Sequence, residues 1–213
     1  MEESKSREKI LKKVRAALIQ KVPEPPANID FESDLYQIPP GSPEEIFARE
    51  FSALNGKFVF CESENELKES LPILIRERGW QEIFAFDPDL INILSDAGIA
   101  FSSDASQLAK AETGICTCEF LIARTGTVMV SAKLPGGRRL PFYPHICIVV
   151  AYTHQIVMNV KDGLKKIREK YKGELPSMIT AISGPSRTAD IEKTLVQGAH
   201  GPRDIYVFLT DRS

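Results

Sequence analysis

Residues 57–102 read KFVFCESENELKESLPILIRERGWQEIFAFDPDLINILSDAGIAFS, and the pattern of this stretch decides the fold. KFVFC is a short apolar run that predicts a strand. Ser63 followed by Glu66 is a capping box that opens a helix to about Arg78. EIFAF is a second strand, Asp87 before Pro88 caps a second helix over DPDLINILSDAG, and IAFS is a third, short strand. Strands separated by helices need crossover connections. The expected fold is therefore α/β with a mostly parallel sheet and right-handed crossovers.

On the N-terminal side, Ser42, Pro43, Glu44 and Glu45 combine an N-cap, a proline in the first turn and acids at the positive end of the helix dipole. They predict a helix ending near Gly56. The preceding segment, VPEPPANIDFESDLYQIPPGSP, has frequent prolines and no period, so residues 22–43 read as a linker. Residues 1–21 carry Ile10, Leu11, Val14, Ala17 and Leu18 on one helical face, with lysines and arginines around them. The stripe is narrow and lacks aromatic anchors. It suits docking on its own domain or on a partner subunit, a homo-oligomer included, rather than on a membrane. A solvated basic face is the alternative.

On the C-terminal side, residues 44–213 complete one α/β domain. TGICTCEFLIARTGTVMVSA holds two apolar runs around Arg124, Thr125 and Gly126 with no room for a helix, which predicts a hairpin or a strand with a tight turn. The loop PGGRRLPFYPH then leads into residues 146–151, the most apolar strand, expected near the sheet centre. Residues 159–172 form a charged amphipathic helix stopped by Gly173. MITAISGPSRTADIEKTLVQGAHGP follows at 178–202: a strand, a turn at Ser183, Gly184 and Pro185, a helix starting over residues 186–190, and a second turn before a final strand over 205–209.

A chain of 213 residues with 43% apolar content supports one globular unit with a sizeable core. The formal charge of -2 carries no signal for nucleic acid. Nothing approaches the run of about 20 apolar residues needed to span a bilayer, and MEESKSREKI lacks the apolar core of a secretory signal. The expectation is a cytoplasmic protein. Cys61, Cys116, Cys118 and Cys147 lie in apolar surroundings and are expected to be reduced and buried.

Chemistry concentrates in the last third. Ser183, Gly184, Ser186, Arg187, Thr188 and Asp190 join a flexible backbone, hydroxyls and a guanidinium at the expected helix start, which suits a small anion or phosphate. Simple capping of that helix is the alternative. Arg138, beside Arg139 after two glycines, offers a second anion contact if its loop reaches the same end of the sheet. His145 and His200 are candidate acids, bases or ligands, although each suits a structural hydrogen bond equally well. Glu119 is an acid in an apolar run, where burial calls for a partner, and Arg124 is the nearest candidate. Cys116 and Cys118 without a second pair do not make a zinc site, and the repeated Cys-x-x-Cys runs of iron–sulfur proteins are missing.

ISGPSRTADIEKTLVQGAHGPRDIYVFL resembles the closing signature of the lactate-utilisation protein C family, the LUD-domain proteins. GICTCEFLIARTGTVMVSA and LPFYPHICIVV resemble its central signature. The resemblance implies a three-layer α/β sandwich with a mostly parallel sheet, similar to the ribose-phosphate isomerase and CoA-transferase group. It also implies a role beside partner proteins, one of them carrying iron–sulfur clusters, in oxidising L-lactate to pyruvate, with no cofactor in this chain. By position, it marks Glu119 as the family's acid, Thr125, Gly126 and Thr127 as its central turn and His145 as its strand entry. The closing loop corresponds to residues 183–192. Family members usually carry an acid just before the Thr-Gly turn, where this chain has Arg124. Beside a purely structural or assembly protein that uses the N-terminal helix, two readings follow. One is an accessory, ligand-binding subunit of a lactate-oxidising system. The other is a stand-alone enzyme acting on a phosphorylated or CoA-linked molecule, with Glu119 or His145 as the acid–base group and Arg187 as an anion clamp.

Overall fold

The computed structural model describes residues 3–19, 36, 39–191 and 194–211. They fall into two units, 1–37 and 38–213. In the first, helix α1 spans Glu3–Ile19 and leaves Ile10, Leu11, Val14 and Leu18 exposed. Most of the expected linker over 22–43 lies outside the described residues. No described helix is long and apolar enough to cross a membrane.

The second unit opens with α2, Pro43–Ala53, and its start is determined locally. The Glu45 N–H donates to Ser42 Oγ at 3.3 Å, and the Ser42 N–H donates to Glu45 Oε2 at 2.9 Å. Ser42→Ala is expected to cost about 1 kcal/mol of unfolding free energy, measurable by urea denaturation. Strand β1, Lys57–Cys61, leads to α3, Glu64–Arg78. Ser63 caps α3 as expected, but the box is only half made, because the Glu66 carboxylate takes the N–H of Glu62 at 2.7 Å. Strand β2, Ile83–Ala85, and helix α4, Pro88–Asp96 with Asp87 as its cap, follow the sequence reading.

The third expected strand, IAFS, reduces to one bridge between Phe84 and Ser102. The Ser102 N–H reaches Ile83 O and the Ala85 N–H reaches Ser102 O. Asp104 then gathers the Ser106 N–H and turns the chain away before a ladder can extend.

The remaining elements are β3 (Thr113–Thr117), β4 (Phe120–Ile122), β5 (Thr127–Ser131), β6 (Ile146–Tyr152), β7 (Ile156–Val157), α5 (Val160–Lys170), β8 (Ile179–Ile182), β9 (Arg187–Ile191), β10 (Thr194–Gln197) and β11 (Asp204–Thr210). A five-stranded parallel sheet runs β1-β11-β6-β3-β2, with the apolar β6 at its centre as expected. A second sheet, β7-β4-β5-β8, contains the expected hairpin as β4 and β5. Helices α3 and α4 cover one face of the parallel sheet through Leu67, Leu71, Leu90 and Leu94. The second sheet and α2 cover the other face through Leu121, Val128, Phe47 and Phe51. These are the three layers, and α5 packs outside the second sheet through Ile167.

The helix expected to start over 186–190 is instead strand β9, paired antiparallel with β10. The base of this hairpin is closed by distant backbone groups. The Ser186 N–H donates to Pro202 O at 2.9 Å, and Ser186 O accepts the Gly198 N–H at 3.0 Å. Thr188, Ile191, Thr194 and Val196 are β-branched, which favours the pleated state once such a partner exists.

Candidate functional site

Parallel strands give this sheet an amino end and a carboxyl end, and the candidate residues divide between them. Glu119 lies just beyond β3, at the carboxyl end, and is 1% exposed. Its carboxylate accepts from Ser131 Oγ at 2.6 Å, Tyr171 OH at 2.6 Å and Lys170 Nζ at 2.7 Å. Burial pushes its pKa up, but these three donors outweigh burial and hold it below the usual glutamate value. The ion-pair partner is therefore Lys170, at the last turn of α5, rather than Arg124. Arg124 Nε donates to Asn159 Oδ1 at 2.8 Å, at the start of the same helix. A carboxylate paired in this way is a poor proton acceptor at neutral pH.

The closing loop sits elsewhere. Thr127 Oγ1 lies 2.8 Å from Thr125 Oγ1 and 2.7 Å from Ser183 Oγ, which joins the central turn to the loop. Thr127 and Ser131 are the two ends of β5, four residues apart, so this hydroxyl cluster and Glu119 are separated by about 13 Å along one strand. Gly184, at φ +80, approaches the end of α2 so closely that a Cβ would stand 2.6 Å from Leu54 O. Arg187 Nη2 donates to that carbonyl at 3.1 Å. The expected anion at a helix N-terminus is replaced by a cation at a helix C-terminus, an arrangement that the dipole also favours.

The other candidates disperse. His145 is exposed at the amino end, where its carbonyl accepts the N–H groups of Arg203 at 2.8 Å and Asp204 at 3.2 Å. It and Glu119 flank opposite ends of the parallel sheet and cannot act on one reacting atom. Arg138 donates to Ser177 Oγ at 2.5 Å, beyond the end of β8 that lies away from Ser183. Thr188 and Asp190 belong to β9, and His200 is exposed in the turn that follows β10.

Among the described residues, no group of three His, Cys, Asp or Glu side chains is arranged to hold a metal ion. The four cysteines are buried and free. Burial pushes the Cys61 thiol up to about 11. Cys116 is raised by its contact with Cys147 and by burial, and Cys118 is raised by burial and by Glu119. Raised in this way, Cys61, Cys116 and Cys118 are weak nucleophiles.

The sequence reading missed a groove of about 550 Å³ at the carboxyl end, between α2 and the edge strand β1. Its lining combines the apolar Ala48, Phe58 and Phe60 with the acids Glu44, Glu45 and Asp211. The signal was present in KFVFC. Its two phenylalanines share one face of an edge strand, and Phe60 is 46% exposed.

The layers and topology define an α/β domain with a parallel core sheet and an appended mixed sheet. The LUD domain family model matches residues 44–210, and the chain belongs to that family. It is 35% identical over 106 residues to "Lactate utilization protein C" of Geobacillus kaustophilus, across 48% of this chain and 44% of the relative. It is 33% identical over 105 residues to the protein of the same name from Deinococcus radiodurans, across 49% of each. The chain thus spans about half the length of the curated relatives it matches. A crystal structure of a DUF162 family protein from Deinococcus radiodurans superposes with a TM-score of 0.59 at 19% identity, covering 80% of this chain and 99% of that one. That likeness concerns the fold alone.

Proposed function

We propose that this protein serves a cytoplasmic lactate-utilisation system as a binding subunit and leaves the oxidation of L-lactate to partner proteins that carry the iron–sulfur clusters. The names of its relatives supply the pathway. The observation that carries the choice of binding over turnover is the state of Glu119, whose two carboxylate oxygens are taken by three donors beneath the protein surface. A small carboxylate or phosphate ligand would meet the exposed side chain of Arg187 and the Ser183 hydroxyl at the amino end of the sheet.

The test is complementation. Deleting the gene is expected to slow growth on L-lactate, and the Glu119→Gln protein, expressed to equal soluble level, is expected to restore it. Unchanged growth after the deletion overturns the pathway. A folded Glu119→Gln protein that fails to restore growth overturns the binding role and favours a stand-alone enzyme with Glu119 as its acid–base group.

A further inference from the structure

The groove between α2 and β1 has the wrong chemistry for the small anions considered above. Its lining carries three acids, Glu44, Glu45 and Asp211, and Asp211 is oriented by a hydrogen bond from the Thr153 hydroxyl. Its apolar lining includes Phe60, exposed on an edge strand whose ladder partner among the described strands is β11. A groove lined by apolar side chains and carboxylates fits an amphipathic helix whose apolar stripe is flanked by basic side chains.

The chain itself contains a segment of that chemistry. Helix α1 exposes Ile10, Leu11, Val14 and Leu18 at spacings that place them along one stripe. Lys5, Arg7, Lys9, Lys12, Lys13 and Arg15 outnumber Glu3 and Glu8 on the same helix. With 17 residues it is about 25 Å long. Pairing one α1 with another would bring like charges together, whereas the groove offers opposite charge. Exchange between two copies fills both grooves by one two-fold operation and closes the assembly.

We propose that this groove is a docking site for helix α1 of a second copy of the chain, making the protein a dimer by reciprocal helix exchange. Sedimentation of the full chain over micromolar concentrations is expected to show a monomer–dimer equilibrium. Phe60→Asp in the groove and Leu11→Asp in the helix are each expected to weaken it by roughly tenfold or more. Lys13→Glu is expected to weaken it less, and adding Glu44→Lys should recover part of that loss. Circular dichroism controls for folding, and Leu11 lies outside the α/β unit, so its substitution leaves that unit intact. A monomer at every concentration overturns the proposal. So does a dimer indifferent to both Phe60→Asp and Leu11→Asp.

Discussion

Gly126→Ala is expected to lower the unfolding free energy by about 3 kcal/mol. Two effects add. Gly126 has φ +54, and a Cβ there would stand 2.3 Å from Phe51 N, 2.5 Å from Glu50 C and 2.7 Å from Phe51 Cα. The obstacle is helix backbone, which cannot rotate aside, and Phe51 is fully buried and stacked on Phe47 at 5.3 Å. Relief requires moving α2 off the second sheet. Urea denaturation should show a lower midpoint with an unchanged slope, and the melting temperature should fall by roughly 6–12 °C. Gly98→Ala is the control, because Gly98 has φ +65 but no atom within 4 Å of the added methyl. It should cost about 1 kcal/mol from backbone strain alone. Equal losses at the two sites would show that the Thr-Gly turn does not press on α2.

Breaking the Glu119–Lys170 pair is expected to cost about 2 kcal/mol, below the range for a fully buried pair because the Lys170 side chain is 49% exposed. A double-mutant cycle should return coupling of about 1 kcal/mol or more for Glu119→Ala with Lys170→Ala. Glu119→Ala with Arg124→Ala should be additive within about 0.5 kcal/mol. The pair also predicts a pH dependence. Burial raises the Glu119 pKa, yet its donors from Lys170, Ser131 and Tyr171 leave it lowered in the folded protein. Its stabilisation is therefore present above the unfolded carboxylate range and is lost as pH falls through the lower, folded value. Burial lowers the Lys170 pKa, but the hydrogen bond and charge of Glu119 leave it raised. That contribution is present below the ordinary lysine range and is lost as pH rises through the higher, folded value. Denaturation midpoints measured from about pH 3 to 7 should fall more steeply below about pH 4 for the native sequence than for Glu119→Gln. Parallel acid limbs would remove Glu119 from the account.

What the sequence determined by itself is the alternation of elements. The caps at Ser42, Ser63 and Asp87 rest on contacts within a few positions, the apolar runs between them and the central place of residues 146–151 are marked by composition, and all appear in the structure. The tertiary structure decided the rest. Residues 187–191 became a strand because Ser186 found Pro202 and Gly198, and Ser, Thr and Asp suit a helix cap or a hairpin equally well until such partners exist. Glu119 was legible as a buried acid needing a counter-charge, but the near candidate, Arg124, lies at the other end of β4. Lys170 reaches it because α5 docks across the second sheet. His145 and Glu119 carry the same family signature in the sequence, yet they end up at opposite ends of the parallel sheet. Strand direction and register place them there, and both are set by pairing between residues distant in the chain.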